Sequence, residues 1–318
     1  MAVSSRPLVP SSLAPGGLVP RGHGAARQPH TRLGGFIALT KPRIVELLLI
    51  TTLPTMVLAE QGLPPLRLIV ATLVGGSLAA AGANALNMVI DRDIDRLMPR
   101  TQGRPLVTGL VAPGEAIAFA VLLEVAAFAL LWWRVNLLSA ALALAAMAFY
   151  VVVYTIWLKR TSTQNIVIGG AAGAVPVLVG WAAVTGGLAW APFVLFVAIF
   201  LWTPPHFWAL AIRYADDYRA AHVPMLPAVM APAEVGRRML GYTLALWACT
   251  LVLVPVAGLG WIYTTAAAIL GALFAAGCLG LARDPSPKRS MRVFAYSITY
   301  VTILFGAMAI DVLVRYGW

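Results

Sequence analysis

The chain has 318 residues, of which 60% are apolar and only 11% charged, and its formal net charge is +11. Soluble globular domains hold about 45–50% apolar and about 25% charged residues, so the composition excludes an ordinary soluble domain and describes a membrane-spanning chain. Its basicity follows from topology and anionic lipid, and nucleic-acid binding is not needed to explain it.

Residues 1–34 are rich in Pro, Gly, Ser and Arg, lack apolar periodicity and read as a disordered cytoplasmic tail. They contain no apolar core of the sort a cleaved signal peptide needs. Residues 35–318 read as one polytopic domain. Nine apolar runs in it are long enough to cross a bilayer as helices, approximately 44–59, 67–90, 115–133, 136–157, 165–184, 188–212, 239–258, 261–282 and 292–314. Of the 23 Lys and Arg, all but Arg67, Arg134 and Arg315 fall on one side of this arrangement. That asymmetry predicts a cytoplasmic N-terminus and, with an odd number of spans, a C-terminus outside. The two cysteines, Cys249 and Cys278, lie inside spans and read as core packing; they have neither metal-site nor disulfide-framework spacing.

The start of the first span carries Lys41 and Arg43 on either side of Pro42. The second span ends in Asn87, Asp91 and Asp95, each four residues from the next. A helix turns about 100° per residue, so this spacing drifts only about 40° per step and lines the three along one stripe. Two carboxylates so close repel unless cations intervene. Mg²⁺ suits that donor set, because it takes one or two carboxylates and fills its shell with water and substrate phosphate. Asp91 and Asp95 are the candidate metal ligands and Asn87 a neutral oxygen donor to metal or substrate. Asp93 lies about 200° around the helix from Asp91 and is expected to pair with Arg96 or Arg100. The bland alternative is that all three Asp merely balance the neighbouring Arg. Asn87, one turn deeper in the span, argues against it.

Lys159 and Arg160 follow the fourth span, and Asn165 opens the fifth ahead of Gly169 and Gly170, which suit close helix packing. Lys41, Arg43, Arg104, Lys159, Arg160 and Arg213 are the candidate diphosphate-binding cations; Arg suits bidentate phosphate contact and Lys supplies a point charge. The sixth span closes on Trp202-Thr-Pro-Pro-His-Phe-Trp208 and continues to Asp216-Asp217. His206, Arg213 and Asp217 are seven and four apart and are expected to share a face. Pro204 and Pro205 interrupt helical hydrogen bonding, which predicts a cavity beside His206. His206 reads either as a hydrogen-bonded core residue or as a contact for a substrate carboxylate or a porphyrin metal. Either Asp216 or Asp217 is a candidate ligand for a second Mg²⁺, and the sequence does not select between them.

These segments resemble the intramembrane prenyltransferases of the UbiA type. The resemblance runs from about residue 36 to 316. It rests on Leu39-Thr-Lys-Pro-Arg43, on Asn87 to Asp95 with Arg104-Pro105-Leu106, and on Trp157-Leu-Lys-Arg-Thr161 with Gln164-Asn165. Trp202-Thr-Pro-Pro-His-Phe-Trp208 and Pro224-Met-Leu-Pro227 are more specific to the haem-farnesylating branch of that family. The resemblance implies an all-α integral membrane protein, nine transmembrane helices in a bundle around a central cavity, in the cytoplasmic (inner) membrane. It implies farnesyl diphosphate and haem b as substrates, haem O as product, Mg²⁺ as cofactor, and a haem A synthase as a candidate partner. Asn87, Asp91, Asp95, Asp216 and Asp217 would then form the catalytic acidic motifs, with Asp91, Asp95 and Asp217 as metal ligands and His206 as a haem contact. Aromatic faces such as Trp202, Phe207 and Trp208 would steady an allylic cation by about 0.5–2 kcal/mol each. Two other readings keep part of this picture: the same chemistry on a quinone precursor, and a transporter of an anionic isoprenoid. The acidic residues gather at one face rather than at mid-membrane, where transporter sites lie, which argues against the transporter.

Overall fold

Proline, glycine and side-chain caps divide the apolar chain into rods. The computed structural model describes residues 31–317, without the side chains at positions 43, 44, 47 and 48. Residues 1–30 of the expected tail therefore lie outside the described residues. A first helix not expected from the sequence, α1 (Arg32–Thr40), is N-capped by Thr31, whose hydroxyl accepts from Gly34 N at 3.1 Å. It stops at Lys41, in the left-handed region at φ 49°, because Pro42 disfavours the right-handed helical region for the residue before it. Pro42 then opens α2 (Pro42–Glu60). There follow α3 (Leu66–Ile90), the short turns α4 (Arg92–Asp95) and α5 (Pro105–Thr108), and α6 (Pro113–Arg134).

The next rod is continuous but changes pitch. It begins as α7 (Leu137–Ala148), passes through ten π-helical residues, Phe149–Leu158, and ends in the turn α8 (Lys159–Thr161). Then come α9 (Asn165–Thr185), α10 (Trp190–Arg213), the short α11 (Ala215–Ala220) and α12 (Leu226–Val229), and the long α13 (Pro232–Ala257), α14 (Trp261–Arg283) and α15 (Pro287–Tyr316). No strand occurs among the described residues.

Eight of these rods are long and apolar enough to cross a membrane, and α2 is the shorter ninth, apolar over Leu49–Glu60. The nine expected spans thus fall on α2, α3, α6, the α7–α8 rod, α9, α10, α13, α14 and α15. One end of the bundle has only short connections. It carries exposed Trp133, Trp190, Trp261 and Tyr316, the aromatic belt of a membrane–water interface. The opposite end carries α1, α4, α5, α11 and α12, and with them nearly all the charge.

Two features of the packing position the site. Asn84 of α3 donates to Thr40 O at 3.2 Å, which fastens the α1–α2 junction one helical turn from Asn87. Gly169 and Gly170 of α9 allow close approach: a Cβ on Gly169 would lie 2.3 Å from the Tyr154 ring, and one on Gly170 2.8 Å from Thr203. The π-helical stretch can therefore seat its aromatic side chains against α9. Both cysteines pack as expected, Cys278 Sγ 3.4 Å from Thr243 Oγ1 and Cys249 Sγ 3.4 Å from Val194 O. Asp311, for which the sequence offers no role, caps α14 from α15. Its carboxylate accepts from Gly260 N at 2.6 Å, Ile262 N at 3.1 Å and Tyr263 N at 3.3 Å.

Candidate active site

The acidic stripe forms as its spacing predicts. The backbone i→i+4 bonds continue across the end of α3, from Asp91 N to Asn87 O and from Asp95 N to Asp91 O, both at 2.9 Å. Asn87, Asp91 and Asp95 are all buried, the two carboxylates almost completely. Asn87 Nδ2 donates to Asp91 Oδ2 at 2.8 Å and to Thr155 Oγ1 at 3.1 Å. Its carbonyl oxygen accepts from Lys41 Nζ at 2.7 Å, so this oxygen is engaged by a cation before any ligand arrives. Lys159 donates to Asp91 Oδ2, and Arg104 Nη1 to Asp95 Oδ2 at 2.5 Å. Burial, then the charges of Arg104 and Lys159, push the Lys41 ammonium down to about 7.

Thr155 was not singled out by the sequence. It sits in the π-helical stretch, fully buried, and its hydroxyl donates to Tyr150 O at 2.9 Å. The signal that marks it is polarity within an apolar span. The rings of Tyr150 and Tyr154 stack beside it, with centroids 5.4 Å apart.

Other candidate residues lie apart from this cluster. Asp93 pairs with Arg160 through two bonds of 2.6 and 2.7 Å, rather than with Arg96 or Arg100. Arg160 also donates to Ile90 O at 3.0 Å, so it clamps the end of α3. These bonds pull the Asp93 carboxyl down to about 2. The side chain of Arg43 lies outside the described residues.

His206 and Arg213 both lie on α10, but Asp217 does not continue that helix, because α10 ends at Arg213, with Tyr214 as its C-cap, and the chain restarts as α11. Arg213 is exposed, 5.9 Å from the Tyr214 ring centroid. Asp217 faces Arg100 at 3.6 Å, and Arg100 also lies 5.4 and 5.1 Å from the Tyr214 and Tyr218 rings. Asp216 is nearly fully exposed and pairs with Arg219. Among the described residues no three His, Cys, Asp or Glu side chains converge as a metal site, so Asp217 does not join Asp91 and Asp95 in this conformation.

The flank of His206 is filled rather than hollow. Its ring stacks on Trp202 at 4.2 Å and on Phe294 at 4.8 Å, and its Nδ1 lies 2.7 Å from Ser297 Oγ. Trp202 and Trp208 are buried in the helical core, which leaves Phe207 as the partly exposed aromatic of that motif.

Comparison with known proteins settles the class. The sequence pattern of the UbiA prenyltransferase family matches residues 48–305. The protoheme IX farnesyltransferase of Pseudarthrobacter chlorophenolicus is 54% identical over 281 residues, covering 87% of this chain and 88% of that protein. The chain belongs to the UbiA prenyltransferase family. Two solved structures share its fold. A chain described as digeranylgeranylglyceryl phosphate synthase superposes with a TM-score of 0.73 at 17% identity, over 89% of this chain and 99% of that one. A UbiA homolog from Archaeoglobus fulgidus bound to GPP and Mg²⁺ gives 0.61 at 18% identity, over 86% and 99%.

This UbiA-family chain is accordingly a multi-pass membrane prenyltransferase. Its buried polar cluster has the donor set a divalent ion takes. Asp91 Oδ1 and Asp95 Oδ1 are both buried and have no hydrogen-bond partner. An ionised oxygen left in that state costs about 1–3 kcal/mol or more, and two such atoms one helical turn apart fit a hard cation. The charges fit as well. Lys41, Lys159 and Arg104 against Asp91 and Asp95 leave the cluster about one charge positive when Lys41 is protonated, a setting that attracts an anion.

Proposed function

We propose that this prenyltransferase moves the farnesyl group of farnesyl diphosphate to a vinyl group of protohaem IX, giving haem O. The observation that carries the reading is the pair of unpartnered buried oxygens on Asp91 and Asp95, ringed by Lys41, Lys159 and Arg104. The protoheme IX farnesyltransferase name of its 54% identical relative supports the acceptor.

Breaking the allylic C–O bond sends its electron pair to diphosphate and leaves a carbocation. The vinyl π electrons attack that carbon, and water adds to the resulting cation with loss of a proton. Mg²⁺ held by Asp91 and Asp95 would supply charge stabilisation to the departing diphosphate, and Asp217, apart from that pair, would serve a second Mg²⁺. Lys159, Arg104 and Lys41 are preorganised donors for the same developing charge, the kind of electrostatic term that is usually largest. Asn87 holds Lys41 and Asp91 in register, and Arg160 reaches the same end of the bundle through its clamp on α3. Arg213 is a peripheral phosphate contact, Arg43 remains a candidate cation for the diphosphate, and Asp216 accompanies Asp217 in the second motif. His206 is the haem contact.

The Lys/Arg asymmetry supports a cytoplasmic N-terminus, an outward C-terminus and diphosphate binding at the cytoplasmic face of the inner membrane. The product passes to an enzyme of the haem A synthase class.

Mass spectrometry of haems from a host lacking its own haem O, expressing this chain alone, tests the function. The reading expects a farnesylhydroxyethyl haem that disappears in Asp91→Ala, Asp95→Ala. A prenylated quinone precursor with no modified haem would replace the acceptor.

A further inference from the structure

Ser297 of α15 is a buried node on which three groups meet. Its hydroxyl oxygen lies 2.6 Å from Phe294 O and 2.7 Å from His206 Nδ1, and its carbonyl accepts from Trp202 Nε1 at 2.9 Å. A serine hydroxyl carries one proton. Two oxygens 2.6 Å apart with no hydrogen between them would repel, so that proton lies on the line to the Phe294 carbonyl, which has none to offer. The remaining contact then has one polarity: His206 Nδ1 carries a hydrogen and donates it to Ser297 Oγ.

The ring itself cannot readily rotate away from this arrangement. Trp202 and Phe294 stack on its two neighbouring sides, at interplanar angles of 18° and 26°, and Phe207 meets it edge-on at 5.1 Å. Nε2 has no hydrogen-bond partner among the described residues. We infer that Ser297 is a positioning residue that fixes His206 as the Nδ1–H tautomer, so that Nε2 presents a bare lone pair to the iron of the porphyrin substrate. Which imidazole nitrogen is free to bind a metal is set by the hydrogen bond the other one makes. Trp202 adds to the device by donating to the Ser297 carbonyl, which ties α10 to α15 beside the ring. The iron contact rests on the haem-acceptor reading above; the tautomer does not.

Two measurements separate them. The chain has four histidines, so protein labelled with ¹⁵N-histidine and reconstituted in lipid gives a tractable NMR spectrum, with His206 assigned by its loss in His206→Phe. The wild type shows Nδ1 protonated and Nε2 bare. Ser297→Ala shows Nε2 protonation or a mixture, and Ser297→Thr, which keeps the hydroxyl, restores the wild-type pattern. The second measurement is titration with ferric haem b, followed at the Soret band. A shifted band lost in His206→Phe is expected, with affinity lowered about 10–100-fold in Ser297→Ala, as for outer partners of metal-bound histidine.

A protonated Nε2 in the wild type overturns the proposal. So does an unchanged tautomer in Ser297→Ala. A wild-type Soret band in His206→Phe overturns the iron contact but not the acceptor, which haem O formation decides separately.

Discussion

Replacing Lys159 with Met removes the strongest partner of a carboxylate that has no access to water. Asp91 is fully buried, Lys159 has 11% of its side chain exposed, and among the described residues Asp91 Oδ2 receives only Lys159 and Asn87. Two unit charges about 4 Å apart attract by about 4 kcal/mol at an effective dielectric of about 20. Breaking such a pair by deleting one partner costs about 3–5 kcal/mol, because the other charge is left stranded. Lys159→Met is therefore expected to destabilise by about 3 kcal/mol or more. Asp91→Asn, Lys159→Met should recover much of that loss, since it strands no charge. The assay is a double-mutant cycle on unfolding in a defined detergent, read together with prenyl transfer. Coupling of about 2 kcal/mol or more is the expected result. Strict additivity of the two single changes would refute the reasoning, for it would mean that Asp91 and Lys159 do not stabilise each other inside the bundle.

Other consequences follow from the same contacts. Thr155→Val removes the acceptor that steadies Asn87 Nδ2; turnover should fall several-fold while the unfolding midpoint moves little, the lost bond contributing about 1 kcal/mol. Gly169→Ala drives a methyl into the Tyr154 ring, 2.3 Å away; transfer activity should drop sharply, and an unchanged rate would show that the ring has room to yield. Asp311→Ala uncaps α14 at the end of the bundle remote from the acidic stripe. It should lower stability by about 1–3 kcal/mol yet leave the rate per folded molecule near wild type.

The sequence made legible what depends on local periodicity. Apolar runs set the spans, and the four-residue spacing of Asn87, Asp91 and Asp95 survived the end of α3 because α4 carries on the same bonding pattern. Partners distant along the chain were not legible. Asp93 finds Arg160, 67 residues away, because the end of the α7–α8 rod lies beside the end of α3. The face proposed for His206, Arg213 and Asp217 stops short of Asp217, because one residue, Tyr214, breaks the helix after Arg213. Thr155 was hidden for a different reason: Phe149–Leu158 has the composition of an ordinary apolar helix, and composition alone does not reveal its π-helical pitch. The orientation of the Asn87 amide is likewise a product of Lys41, Thr155 and Asp91 together, contributed by three separate stretches of chain.

The central claim is that Asp91 and Asp95 bind a divalent ion that in turn binds an isoprenoid diphosphate. Calorimetric titration of the reconstituted protein with a non-hydrolysable farnesyl thiodiphosphate, with and without Mg²⁺, tests it most directly. The account predicts tight binding only with Mg²⁺, and loss of that dependence in Asp91→Asn, Asp95→Asn. Equal, Mg²⁺-enhanced affinity in the wild type and the double variant would contradict it.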